Sequence, residues 1–428
     1  MNHKSIRNKI SKYESRSMLG QMPIIWDSAY DEFVISNKKK YIDFTSTIFV
    51  SNIGHSNKTL VSKVKKTLSA PLLHTYTYLN PYRAEYLDKL IKFSKPYFQK
   101  AYLVSAGTEA TEAALKLIRM NGLKINKRKK GLICFDGNWH GRTMGAQLMS
   151  GNESQKEWIG FRDPNIYHIK FPYPWDVNEN NSELFLKKQI DNLIANKKIS
   201  LNKDIAGFML ESFQGWGAFF YPYTFIKALE KICKKNKILL CFDEMQAGFG
   251  RTGKKFGFEH YDVKPDLICV GKGMGSGFPL SGVLGKSKII DLPSIGSMSS
   301  THSSNPISAS AGSATLDVIN KQKLVRRSER LGKLLFSHLN KIMNKYPNYI
   351  SNICGKGMIA AIIFKDYKTK KPLSKLANKI CDLCLKNQLI VVRTGRESIK
   401  IGPPLIIKEK NLIKGLTILD QCIKESIS

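Results

Sequence analysis

Lys272 stands in the glycine-rich run V-G-K-G-M-G-S-G-F-P-L-S-G, Val270 to Gly282, directly after an apolar stretch. Asp243 ends another apolar stretch in L-L-C-F-D-E-M-Q-A-G-F-G-R-T-G, 29 residues earlier (272 − 243 = 29). A primary amine in such a turn can form an imine with an aldehyde. A carboxylate at a strand end can hold a proton on the nitrogen of an aromatic ring placed against it. An isolated lysine in a chain with 68 Lys and Arg would read as solvated surface. The glycines around Lys272 and the apolar strand before it change that reading.

One aldehyde suits both groups: pyridoxal 5′-phosphate, held by the lysine as a Schiff base while the carboxylate keeps the pyridine nitrogen protonated. Its phosphate needs an anion site. Ser105, Gly107 and Thr108 open an apparent helix in S-A-G-T-E-A-T-E-A-A-L-K-L-I-R, where free N–H groups and a partial positive charge favour phosphate. No metal-ligand spacing accompanies these residues.

The elements that must position them alternate between strand and helix. Ala101 to Val104, Gly131 to Phe135, Ile205 to Glu211, Ile238 to Asp243, Leu267 to Gly271 and Gly282 to Gly285 are short apolar runs. Helical patterns such as Thr224 to Asn236 separate several of them. Such alternation predicts a mostly parallel sheet with helices on both faces, and ligands beyond the carboxyl ends of its strands. Ser105, Glu211, Asp243 and Lys272 all fall at predicted carboxyl ends. Upstream, Ile24 to Phe44 reads as a hairpin with a polar tip at Ser36 to Lys40, and Asn57 to Leu68 and Ala84 to Phe93 read as helices. Downstream, a long helical stretch runs from Ser308. Strands follow at Met358 to Phe364 and Leu389 to Val392, with helices at Leu376 to Lys386 and Ile407 to Ile423. This part reads as α+β, with a boundary near Gln322 to Leu331.

The chain of 428 residues is too long for one comfortable core, so two domains are expected. The formal charge of +34, from 68 basic and 34 acidic residues, would suit a nucleic-acid binder. The lysines are spread along the whole chain, with only short clusters such as Lys38-Lys39-Lys40 and Lys127-Arg128-Lys129-Lys130. They read as a solvated surface, with neither nucleic acid nor membrane as partner. Eight scattered cysteines read as reduced thiols of a cytoplasmic protein, Cys381 and Cys384 as helix core. Met1 to Ser17 is basic and serine-rich and reads as a flexible arm rather than a secretion signal or a transit peptide.

From about Pro23 to about Cys422 the motifs resemble the class III pyridoxal-phosphate aminotransferases, of the 4-aminobutyrate, ornithine and acetylornithine subgroup. D-E-x-Q-x-G-x-G-R-T-G is the most specific of them, joined by N-I-G-H at Asn52 to His55, W-H-G-R-T at Trp139 to Thr143 and P-P-L at Pro403 to Leu405. The resemblance implies an α/β, fold-type I transferase. Its large domain holds a mostly parallel seven-stranded sheet flanked by helices, and a smaller α+β domain comes from the N- and C-terminal segments. The implied division is 1–54, 55–322 and 323–428. It also implies a homodimer with shared active sites.

By the same resemblance Lys272 would shuttle the proton, Gln246 would bond the phenolic oxygen, and Trp139 would stack on the ring beside a structural His140. Thr301 would reach the phosphate in the other subunit, with His302 where an aromatic is usual. Glu211 would pair with an arginine, but Lys400 stands at that arginine's place and offers a point charge instead of a planar fork. Arg393 and Arg396 lie near it. Ile48, Phe49, Val50, Tyr76 and Tyr78 would face the substrate. The implied reaction moves an amino group from an ω-amine or amino acid donor to a 2-keto acid. Two alternatives are a decarboxylase or epimerase on the same fold, and a non-catalytic, basic nucleic-acid-binding protein.

Overall fold

The computed structural model describes residues 2–18, 20 and 24–428. Met1, and Pro23 where the resemblance begins, lie outside them. A seven-stranded sheet runs through the middle of the chain in the order Lys100–Val104, Ser281–Gly285, Leu267–Val270, Leu239–Asp243, Ile205–Glu211, Gly131–Phe135, Ile166–Ile169. Every residue of Leu239–Asp243, Ile205–Glu211, Leu267–Val270 and Gly131–Phe135 is buried. Unbroken burial is what a parallel sheet covered on both faces demands, and the continuous apolar runs answer it. Helix Gly107–Ile125 packs against this sheet.

Ser281–Gly285 alone runs antiparallel, to both of its neighbours. The connection 271–280 carries the Lys272 turn and is too short for a crossover helix, so the chain doubles back. The edge strand Ile166–Ile169 escaped the sequence pattern because Tyr167 and His168 interrupt a short, half-buried run.

The hairpin Phe33–Ser36 with Lys39–Asp43 forms as expected. Lys39–Asp43 also pairs in parallel with Leu389–Ile390, so the two ends of the chain share one sheet. A second antiparallel sheet joins Ile350–Lys356, Ile359–Phe364, Ser398–Ile401 and Val392–Arg393. The expected single strand at Leu389 to Val392 is therefore two short strands, one in each sheet. The helical stretch from Ser308 is likewise two helices, Pro306–Lys321 and Leu324–Lys345, broken where Lys323 turns left-handed at φ +50°. The basic arm is a helix over His3–Tyr13, capped by Asn2 and with no buried residue. Among the described residues no helix is long and apolar enough to cross a membrane. Cys381 and Cys384 are buried in helix Ser374–Lys386.

One segment breaks the local rules. Ser46, Thr47, Ile48 and Phe49 all have φ between +48° and +69°. For L-residues this left-handed turn costs about 1–2 kcal/mol per residue. Tertiary bonds hold it: Ser46 Oγ donates to the carbonyl of Gly402 at 2.6 Å and accepts from Arg251 Nη2 at 3.2 Å. Gly402 is needed there, because a Cβ would stand 2.2 Å from the Phe49 ring.

Candidate active site

A cavity of about 1170 Å³ lies where the strand ends of the large sheet meet the N-terminal turn and the C-terminal sheet. Lys272 enters it two residues after strand Leu267–Val270, in a tight turn with φ +43°. Positive φ at a residue with a Cβ is strain, and such strain collects at functional positions. Burial lowers the pKa of the Lys272 amine, while Asp243 and then Glu211 pull it back up. Asp243 is close enough to act on that amine, yet the two side chains form no ion pair.

Asp243 ends strand Leu239–Asp243 and is buried. Its Oδ2 meets His140 Nδ1 at 2.9 Å and its Oδ1 accepts from the amide of Met245 at 3.0 Å. His140 is itself fixed: its amide donates to Ser150 Oγ at 2.9 Å, and its carbonyl accepts from Thr111 Oγ1 at 2.8 Å. His140 Nε2 is buried without a partner. Gly141 permits the turn after it, at φ +140°, where a Cβ would meet Thr108 Oγ1 at 2.4 Å.

Glu211, at the end of the neighbouring strand, anchors a chain of bonds that leads to Lys400. Glu211 Oε2 accepts from the amides of Trp139 at 3.0 Å and Gly215 at 3.2 Å. Gln246 Nε2 donates to Glu211 Oε1 at 3.2 Å, and Gln246 Oε1 accepts from Lys400 Nζ at 3.0 Å. Both ends of the Gln246 amide are thus engaged within the protein. Lys400 Nζ also lies 4.7 Å from the centre of the Phe49 ring and forms no ion pair among the described residues. Burial pushes Lys400 down to about 7 and Glu211 up to about 7. The glutamine lets a lysine and a glutamate share one buried pocket without touching.

The other sequence candidates fall around this centre in different ways. Ser105, Gly107 and Thr108 lie at the start of helix Gly107–Ile125, which no side chain of the preceding Ala106 caps. Ser105 Oγ faces Ser303 Oγ at 3.3 Å, while Thr108 Oγ1 is tied to Thr143 Oγ1 at 2.6 Å. The Glu109 carboxylate already accepts from the amides of Ser105 and Ala106. Trp139 lines the cavity. Thr301 is exposed, with its carbonyl accepting from His74 at 2.8 Å, and does not line the cavity. Arg393 lines the cavity, but its guanidinium is committed to Asp382. Ile48 reaches the cavity, whereas Phe49 and Val50 do not line it.

Sequence reasoning passed over two residues. Arg142 was visible inside W-H-G-R-T without a role; it lines the cavity with its guanidinium 4.7 Å from the centre of the Trp139 ring. Arg251 is wholly buried, donating to the carbonyls of Met358 and Pro403 and to Asn52 Oδ1 as well as to Ser46. Its place in G-R-T-G was the only signal.

A buried acid braced by a histidine, a separate half-buried amine, an aromatic wall and a helix start opened by Ser105, Gly107 and Thr108 suit an aromatic heterocycle that carries a phosphate. The model of the class-III aminotransferases matches residues 21–423. The chain belongs to that family. It is a pyridoxal-phosphate-dependent enzyme of transamination. It is 31% identical, over 93% of its own length and 89% of the relative's, to the mitochondrial acetylornithine aminotransferase of Candida glabrata. It is 32% identical to the 5-aminovalerate aminotransferase of Pseudomonas aeruginosa, covering 90% of each chain. The crystal structure of acetylornithine aminotransferase from Elizabethkingia anophelis superposes with a TM-score of 0.80 at 28% identity, over 99% of this chain and all of that one. Such structures share the fold-type I architecture, and the aminotransferase departs from a uniformly parallel sheet only at Ser281–Gly285.

Proposed function

We propose that this aminotransferase takes an amino group from an ω-amine or ω-amino acid donor, of 4-aminobutyrate or ornithine type, and passes it to a 2-keto acid. The observation that carries this reading is the placement of Lys272 and Asp243. They stand at adjacent strand ends, Asp243 buried and Lys272 half-buried, close without forming an ion pair, beside a cavity large enough for cofactor and substrate together. Relatives named for acetylornithine and 5-aminovalerate support the donor class.

In this reading Lys272 would hold the cofactor through its amine nitrogen. Bound there, pyridoxal phosphate supplies an electron sink for the carbon that loses its proton. The Lys272 amine would carry that proton, and the burial that lowers its pKa makes its neutral, basic form easier to reach than that of an exposed lysine. Asp243 keeps the ring nitrogen protonated, with His140 fixing the carboxylate's orientation. Trp139, in the cavity wall, would stack on the ring. The start of helix Gly107–Ile125, with Ser105 and Thr108, would hold the phosphate. Gln246 turns toward the phenolic oxygen only if it gives up Glu211 or Lys400. Lys400 belongs to the substrate side with Phe49 packed behind it, and Arg393 to the cavity wall.

The same reading places Thr301 at the phosphate of the other subunit in a cytoplasmic homodimer. It divides the chain into a segment 1–54 that joins the small domain, a cofactor-binding domain 55–322 and a C-terminal domain 323–428. Purified protein is tested by screening amine donors against pyruvate and 2-oxoglutarate while following the cofactor's absorbance. Amino transfer that requires both donor and acceptor is the expected outcome. Product formation that ignores the acceptor would refute transfer.

A further inference from the structure

Part of the cavity wall is built around one indole held more firmly than a lining residue needs. Trp216 Nε1 donates to Gln214 Oε1 at 2.6 Å, and the same oxygen accepts from Tyr173 Oη at 2.7 Å. Gln214 is fixed in turn by donating to the carbonyl of Asp136 at 2.8 Å. The carbonyl of Trp216 accepts from Ser398 Oγ at 2.8 Å, which ties the indole to the C-terminal sheet.

Over this ring lies Arg396, its guanidinium carbon 3.7 Å from the ring centre. Its backbone is set by the amide donating to Thr394 Oγ1 at 3.1 Å, and Thr394 Oγ1 donates to the carbonyl of Ser398 at 2.8 Å. Among the described residues the acid beside Arg396 is its neighbour Glu397, 3.6 Å from Nε. Its two Nη nitrogens carry no hydrogen bond among the described residues. A guanidinium stacked on an aromatic face keeps its fork edge free for two-point contact with a carboxylate.

The charge around the cavity points the same way. Among the described residues five cationic side chains line it: Arg142, Lys272, Arg393, Arg396 and Lys400. The one acid among the described lining residues is Glu153, bound to Lys156 at 2.6 Å and to Arg162 at 3.0 Å. Arg393 is spent on Asp382, Lys400 is directed at Gln246, and Lys272 is the reacting amine. A concave wall with this surplus draws in anions.

We infer that Arg396, laid on Trp216, is a specificity residue that grips a carboxylate on the donor at the end remote from its reacting nitrogen. The inference rests on the transamination reading above. Arg396 acts on substrate binding, so it should separate donors that carry a distal carboxylate from donors that lack one.

The test uses holoenzyme in single-turnover half-reactions with 5-aminovalerate and 6-aminohexanoate, and with n-pentylamine and n-hexylamine. Arg396→Leu should lose roughly 10- to 100-fold in kcat/KM for the two amino acids and under about twofold for the two alkylamines. Arg396→Lys should recover part of the loss, and Trp216→Leu should show a smaller loss confined to the amino acids. Independently of turnover, glutarate should raise the thermal midpoint of the wild type more than that of Arg396→Leu. Equal losses for both donor series, or no loss for either, would overturn the inference. So would wild-type protein that binds the cofactor yet processes neither series. Wild-type protein that fails to bind pyridoxal phosphate would instead sink the underlying reading.

Discussion

Two walls meet at the cavity, and they are made differently. One is the set of strand ends carrying Glu211, Asp243 and Lys272. Its residues sit on fully buried parallel strands, and its carboxylates are braced by backbone amides and His140. The other is assembled from the left-handed turn Ser46–Phe49, the crossing segment Ile390 to Arg393 and the strand Ser398–Ile401. Its parts come from both ends of the chain and hold position through Arg251 and Gly402. Chemistry that is the same for every substrate belongs on the rigid wall. Recognition, which differs between donors, belongs on the composite one. Variants of the first wall should lower kcat whatever the donor, and variants of the second should act according to substrate.

The largest effect is expected from Lys272→Ala, a loss of roughly 10⁴-fold in turnover for every donor, read in steady-state assays at saturating substrate. A variant that kept substantial activity would show that the strand-end wall is not the chemical one. Asp243→Asn should cost roughly 10²- to 10³-fold in kcat with little change in donor KM. A change confined to KM would blur the distinction between the walls.

On the composite wall, Arg251→Met strands the carbonyls of Met358 and Pro403 and the Asn52 amide in the interior. Unfolding by urea should show a loss of about 2–4 kcal/mol, softened because a desolvated cation is removed as well. Gly402→Val should cost about 1–3 kcal/mol by driving a side chain into Phe49. Donor KM should rise in that variant more than kcat falls.

The smallest effect concerns pH. Lys400 titrates at about 7 in the fold, against 10.5 when exposed. Between those values the unfolded chain binds more protons at this site, so its contribution to stability rises with pH across the window and is lost as pH falls back toward 7. Lys400→Met should remove that rise, a slope of up to about 1.4 kcal/mol per pH unit. Denaturation midpoints at pH 7, 8 and 9 for wild type and variant check it. Parallel curves would mean that Lys400 is not desolvated.

The two walls also differ in how far they could be read from the sequence. L-L-C-F-D, I-A-G-F-M-L-E and L-I-C-V are contiguous apolar runs, and each delivers its functional residue at or just past its end. Burial on both faces leaves such runs few other structures. The composite wall gives no such signal. S-T-I-F contains no glycine to announce a left-handed turn, because Gly402 and Arg251 impose it from far away in sequence through Ser46. S-I-K-I hides a buried strand, since Lys400 faces inward against Gln246, a partner 154 residues distant. The resemblance assigned Gln246 to the cofactor, but its bonds to Glu211 and Lys400 arise only when the two walls come together. The free fork of Arg396 is likewise a product of two loops meeting, and Trp216 offered no motif to mark it.

The central claim is that Lys272 is the residue that holds the cofactor. Holoenzyme reduced with borohydride, digested and mapped by mass spectrometry tests it directly. One pyridoxyl label is expected, on the peptide that spans Val270 to Gly282. A label on another lysine of this lysine-rich chain, or cofactor released unattached on unfolding, would contradict it.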